Sequence, residues 1–325
     1  MKILKILAVL IACHQVIAQE TFPVNGVAEN FEPIYAFTNA NIIPSPGVKL
    51  KNSTLIIQGN KIIAVDSNLN IPKNAITYNL NGDYIYPSFI DLHSNYGLPK
   101  ITVNKSHNHH PQYNSTKLGS YHWNEAIKPE INASEKFITE YKTAKTYLSN
   151  GFGSVLTHVQ DGILRGTGAL VSLSKKSANE NLLIKNSANF YSFKKGSSQQ
   201  KNPSSLMGSI ALIRQIFLDA EWYKMQKEQI NLSYEAFLKN QKIPQIFVLN
   251  DELDYSRIHK ISNEFEIDFI IKGNGKEFLE IEELTRYKSP IIIPINFSNP
   301  YDVTNPEATE WITLEQLKNW ESEPY

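Results

Sequence analysis

One cysteine, Cys13, occurs in the whole 325-residue chain, and it sits within the first apolar run. A disulfide-stapled fold is therefore excluded, and an ordinary hydrophobic core must hold the chain together. Excess charge of either sign is missing as well, since 32 basic residues meet 32 acidic ones. That balance leaves no broad basic surface of the kind nucleic-acid binding needs. The apolar run at residues 6–13 is too short to cross a bilayer, so no transmembrane segment is expected. No internal repeat and no long low-complexity tract is visible.

What is present begins with an address. Lys2 and Lys5 precede the apolar run, and Val16 and Ala18 occupy the two small-residue positions before a cut. This is a secretory pattern, with Gln19 as the new N-terminus and a secreted or periplasmic destination. Removing Lys2 and Lys5 leaves 30 basic residues against 32 acidic, a net charge of −2. A rival reading takes Leu10-Ile11-Ala12-Cys13 as a lipoprotein signal and leaves Cys13 acylated at a membrane surface. With 42% hydrophobic residues the remainder can build a sizeable core, as one large domain or one large and one small.

Between Tyr35 and Leu80, short β-prone runs alternate with turn residues, which predicts a small antiparallel sheet with a tight hairpin at 58–60. After Gly82 the run 84–92 is continuously apolar and reads as a strand buried on both faces. Strands and helices then alternate. Asn132 as N-cap, Glu135, Phe137, Tyr141, Ala144 and Leu148 predict one helix ending at Asn150-Gly151. A strand at 152–159 follows, and Leu206, Ile210, Ile213, Phe217 and Ala220 share one face of a helix started by Ser204-Ser205. Further strands are predicted at 168–173, 245–249, 267–271 and 290–295, with helices at 258–265, 277–287 and 314–320. The count is about six strands after Gly82, and alternation of this kind predicts parallel strands joined by crossover helices. Residues 98–128, polar and rich in His and Asn, read as a long insertion above the strand ends.

The order Asn39-Ala40-Asn41-Ile42-Ile43, Gly47, Thr54-Leu55-Ile56-Ile57, Gly59-Asn60-Lys61-Ile62-Ile63-Ala64-Val65, Pro72, Ala75 and Leu80-Asn81-Gly82 resembles the opening of amidohydrolase-superfamily enzymes. The imidazolonepropionase-like and dihydroorotase-like branches are the most similar. The resemblance continues into Tyr86-Pro87-Ser88-Phe89-Ile90-Asp91-Leu92-His93-Ser94-Asn95. That stretch looks like the family's first barrel strand, normally proline-glycine-phenylalanine-isoleucine-aspartate before a His-x-His pair. It implies an α/β fold, a partial metal-dependent-hydrolase (β/α)8 TIM-type barrel at 83–325 with a small β-sandwich portion at 19–82. The implied chemistry is hydrolysis of C–N bonds in cyclic amides, ureas or peptides, with zinc as the family's metal.

Alternation along a strand places residues i and i+2 on one side, so His-x-His aims two imidazoles at one metal ion. Such an ion acidifies a bound water and polarises a carbonyl. Here Asn95 stands at the second position, and an amide oxygen is a poor substitute for imidazole on zinc. Where the family places later ligands, this chain reads Val248-Leu249-Asn250-Asp251 and Lys272-Gly273-Asn274. The final aspartate would fall after residue 325 in this register. Of the family's ligands only His93 remains, so the resemblance implies that zinc is lost or weakly held, and no catalytic residue is assigned.

Other candidates come from position. His158, at the end of the strand 152–159, either faces the barrel mouth with Asp161 and Arg165 or is a satisfied structural histidine. Asn95, His158 and Lys272 are the further pocket candidates for a ligand-binding or structural module, the alternative to an enzyme. His107, His109 and His110 offer ligands but read as a solvated loop, and Gly162, Gly166 and Gly168 read as a flexible turn without a phosphate-binding signature. The expected partner is a second amidohydrolase domain or chain that completes the barrel.

Overall fold

The computed structural model describes residues 32–102, 111–226, 229–251, 253–295, 310 and 312–314. The expected export signal with Cys13, the histidines His107, His109 and His110, and most of the helix expected at 314–320 lie outside the described residues. The chain divides into two compact units, Met1–Pro87 and Ser88–Tyr325.

In the first unit β1 (Ile34–Ser45) pairs antiparallel with β2 (Val48–Gln58), and β2 with β3 (Lys61–Asp66). Gly59, at φ +56°, makes the tight turn between β2 and β3. The expectation of an all-antiparallel sheet needs correction. β4 (Ile76–Asn79) and β5 (Tyr84–Ile85) both run parallel to β1. Asn39 is the physical reason. It takes a left-handed φ of +53° inside β1, and its carbonyl accepts the Gly82 N–H at 2.7 Å, so β4 pairs before this kink and β5 after it.

Among the described residues the second unit is built on seven strands that neighbour one another in sequence order: β6 (Phe89–Ser94), β7 (Phe152–Thr157), β8 (Leu164–Ser172), β9 (Leu182–Ser192), β10 (Gln245–Val248), β11 (Phe269–Lys272) and β12 (Ile291–Ile292). All neighbours are parallel except at β8, which is antiparallel to both β7 and β9. The expectation of about six strands, all parallel, is corrected on both counts. Residues 158–163 between β7 and β8 are too few for a crossover, which takes about a dozen or more residues, so the chain must turn back on itself. The glycines Gly166 and Gly168 lie inside β8 and are no flexible turn. A Cβ on Gly166 would sit 2.0 Å from the Ile131 carbonyl oxygen, so close backbone approach requires glycine there.

The helix expected from Asn132 is also interrupted, into α1 (Ala133–Lys136) and α2 (Tyr141–Ser149). Buried Phe137 packs on Tyr96 at 5.8 Å, and the Ile138 N–H donates to the Gly97 carbonyl at 2.8 Å, so tertiary contacts outbid the helical bonds. After the short α3 (Ala178–Asn181), α4 (Leu206–Met225) starts as predicted, with Ser205 as N-cap accepting the Gly208 N–H. Further described α-helices are α5 (Leu232–Asn240), α6 (Asp254–Phe265) and α7 (Ile281–Tyr287).

One face of the sheet is covered by these helices. Tyr191, Phe247, Phe269 and Ile271 pack there with Ile213, Ile216, Phe217, Phe237, Ile258 and Ile261. The other face carries its own apolar layer, with Leu156, Ala188, Phe190 and Ile246 buried and Leu170, Val248, Ile270 and Ile292 against them. Among the described residues no helix is long and apolar enough to cross a membrane.

Candidate functional site at the strand ends

Side chains alternate along a strand, so residues two positions beyond the second apolar layer stand on the same face, nearer the C-terminal ends. Leu156 is followed in this way by His158, Phe190 by Ser192, Val248 by Asn250 and Ile270 by Lys272. The apolar layer is thus capped by polar groups at the end where parallel α/β proteins place their chemistry.

His93, near the end of β6, stands 4.8 Å from His158 between ring centroids. His158 is fully buried and lies flat on Phe190, 3.6 Å between centroids with the planes 2° apart. Its backbone N–H donates to the Ser94 carbonyl at 3.0 Å, which ties the end of β7 to β6. Both ring nitrogens of His158 and Nε2 of His93 are buried with no hydrogen-bond partner among the described residues. Burial pulls the His93 pKa down to about 4, with the charges of Lys272 and Arg165 adding to the effect. Burial likewise holds His158 well below the usual histidine range, reinforced by His93 and Arg165. Both imidazoles are therefore neutral at physiological pH.

Arg165 begins the antiparallel strand β8, and because β8 runs backwards its start lies at the same end of the sheet as the close of β9, opposite Phe190 and Tyr191. Its Nε donates to the Gly162 carbonyl at 3.1 Å, from a glycine at φ +100°. Burial lowers the guanidinium pKa to about 10, opposed by the charge of Asp161. Burial lowers the Lys272 pKa as well, opposed by Glu277 and Asp91. Asp91 belongs to the same strand as His93 and accepts the His93 N–H at 2.9 Å.

Four sequence candidates thus meet around His93, which packs on His158 and feels the charges of Arg165 and Lys272. The other two are placed elsewhere. Asn95 lies just past β6 with its side chain exposed, its carbonyl accepting the Leu98 N–H at 3.2 Å. Asp161 is engaged by an ion pair with Lys128 and by the backbone and hydroxyl of Ser197, both at 2.6 Å, and it pins that loop. Phe190, the platform under His158, was not a candidate, because β9 itself escaped the sequence reading. A groove of about 730 Å³ lined by Lys194, Lys195, Lys201, Asn250 and Arg257 involves none of these four, and its Arg257 is already paired with Asp254 at 2.8 Å.

The donor set does not fit the zinc that the sequence resemblance implied. Structural or catalytic zinc takes three or four nitrogen, sulfur or carboxylate ligands. Among the described residues no group of three or more His, Cys, Asp or Glu could hold a metal ion. The two adjacent imidazoles are flanked instead by the cations Arg165 and Lys272, which oppose a divalent cation.

No model of a known protein family matches the chain, and no curated protein matches its sequence. Solved structures do match. An amidohydrolase from Thermotoga maritima MSB8 aligns over 89% of this chain and 76% of its own, at 20% identity and a TM-score of 0.66. A D-hydantoinase (dihydropyrimidinase) from Thermus sp. aligns over 80% of this chain and 57% of its own, at 10% identity, with a TM-score of 0.37 that carries no argument. At such identities the likeness is one of fold. This chain therefore has a mixed α/β fold similar to that of a solved amidohydrolase.

Proposed function

We propose that the chain is a member of the amidohydrolase superfamily, of the imidazolonepropionase-like or dihydroorotase-like branch, with its seven strands forming part of a (β/α)8 barrel. The family's chemistry, hydrolysis of C–N bonds in cyclic amides, ureas or peptides, is the frame in which the site arose. In this reading the residues of this chain do not carry out that hydrolysis alone, and the protein is exported by residues 1–18. The carrying observation is the placement of Arg165 and Lys272 beside His93 and His158, where a metal-dependent hydrolase needs more ligands. The test is metal analysis of the purified full chain after dialysis, with hydrolysis measured on a panel of cyclic amides. Zinc well below one per chain and no turnover are expected. One retained zinc per chain together with turnover overturns the proposal.

A second reading, a non-catalytic module that binds a ligand at this site, is favoured by one further observation. The ring nitrogens of His158 and Nε2 of His93 are buried and uncommitted, which suits recognition as well as it suits chemistry.

A further inference from the structure

Buried charges in proteins are paired, because an isolated one costs several kcal/mol or more. Arg165 is 7% exposed, yet among the described residues no carboxylate lies within 4.0 Å of its guanidinium. Asp161, whose charge it feels, is already committed to Lys128 and Ser197. The hydrogen bond to Gly162 occupies Nε alone, so the planar fork of the guanidinium remains. Beside it, Nδ1 and Nε2 of His158 and Nε2 of His93 are buried and unpartnered, and each neutral imidazole has one N–H to donate. Lys272 adds a half-buried ammonium at the end of β11. A metal ion would use the imidazole lone pairs but repel both cations. A ligand that accepts several N–H bonds and carries negative charge suits both cations and takes the one N–H that each imidazole can donate.

We propose that the strand-end cluster is an oxyanion site, anchored by Arg165 and completed by Lys272, His93 and His158, for a small ligand bearing a carboxylate or a phosphate. The inference rests on the second reading above, that this site binds a ligand. The guanidinium fork matches two oxygens of either group, the imidazoles add directed donors, and the apolar layer under them at Phe190 shields the contact from water. Asp91 and Glu277 offset the charge of Lys272, whereas the one carboxylate acting on Arg165 is the committed Asp161, which makes Arg165 the anchor.

The experiment titrates the full chain with inorganic phosphate, with acetate and with zinc in separate arms. Calorimetry and the ¹⁵N signals of the His93 and His158 rings are the readouts. One oxyanion is expected to saturate and to shift both ring signals with the same midpoint, and which one does so separates phosphate from carboxylate. Arg165→Gln should weaken that binding at least tenfold and Lys272→Gln several-fold, while Arg214→Gln, a surface residue paired with Glu264, leaves it unchanged. Should Arg165→Gln fail to fold, the ring titration of the unaltered chain decides. Absence of a saturable ring shift with either oxyanion overturns the oxyanion inference. Ring shifts with zinc, retained through dialysis at one per chain, overturn the ligand-pocket reading beneath it.

Discussion

Arg165 and the histidines beside it place ligand recognition and fold stability in opposition. A guanidinium held in a buried site without an ion pair is a cost to the folded chain, carried for the sake of whatever it binds. Arg165→Met keeps the aliphatic bulk and removes the charge, and should raise the stability of the ligand-free chain by about 1 kcal/mol or more. Urea denaturation measures this, and a clear loss of stability would show that the guanidinium earns its place structurally. The histidines make the fold sensitive to acid. His158, His93 and His122 all have folded pKa values lowered chiefly by burial. Between the unfolded value near 6.5 and the lower folded value, the unfolded chain binds protons that the folded chain refuses. Stability is therefore fully present above about pH 6.5 and falls as pH drops below it, by up to about 1.4 kcal/mol per pH unit for each histidine kept neutral. Denaturation midpoints at pH 7.5, 6 and 5 test it, and a flat profile contradicts it. Asp161 acts lower down. Its folded pKa is lowered, by hydrogen bonds and the charge of Lys128 against an opposing desolvation, so its contribution disappears only as pH falls below the ordinary carboxylate range.

The elements that escaped the sequence reading share a cause, which is buried polarity. β9 holds Asn189 and Ser192, both fully buried, so its alternation does not read as hydrophobic. The Asn189 amide nitrogen and the Ser192 hydroxyl find partners far along the chain, while Asn189 Oδ1 has none among the described residues. Asn189 Nδ2 donates to Tyr191 Oη at 2.8 Å and to Gln245 Oε1 at 2.9 Å, and Tyr191 donates to the same Gln245 oxygen at 2.8 Å. Gln245 in turn donates to the carbonyls of Asn240 and Ile243. This network fastens β9 to β10 where no apolar pattern announces the pairing. Gln245→Ala leaves several buried polar groups unpaired and should cost about 3 kcal/mol or more. Chemical denaturation checks it, and a loss under about 1 kcal/mol would show that water replaces the amide. Local pattern sufficed where an element's own face decides its structure, as in α4 with its Ser205 cap and buried Ile210, Ile213 and Phe217. It failed where distant residues decide, as at Ile138, drawn off the helix by Gly97. The strand-end positions His93, His158 and Lys272 were legible because they follow recognisable strands. The partnering of Asp161 with Lys128 and Ser197 was not, since nothing local signals it.

At the scale of the whole molecule, the two end strands of the large sheet are uneven in their cover. β6 leaves Phe89 66%, Ile90 51% and Leu92 41% exposed, and Ile293, just after β12, is exposed as well. Scattered apolar residues on a surface are ordinary, but three on one short strand, which among the described residues pairs only with β7 in this sheet, form an exposed apolar group. Soluble proteins pair or cover such edges, and closing a barrel of the (β/α)8 type requires eight strands. We propose that a second amidohydrolase domain or chain, the partner expected from the sequence, packs against β6. Expressed by itself, a chain of residues 19–325 should self-associate or bind such a partner rather than persist as a monomer. Size-exclusion chromatography with light scattering, followed by thermal unfolding, gives the answer. Replacing Phe89 and Ile90 by lysine should shift the population toward monomer, since charge on an end strand blocks further pairing. A monodisperse monomer of the unaltered chain with one sharp cooperative transition would show that β6 and β12 are covered from within, and that the barrel needs no partner.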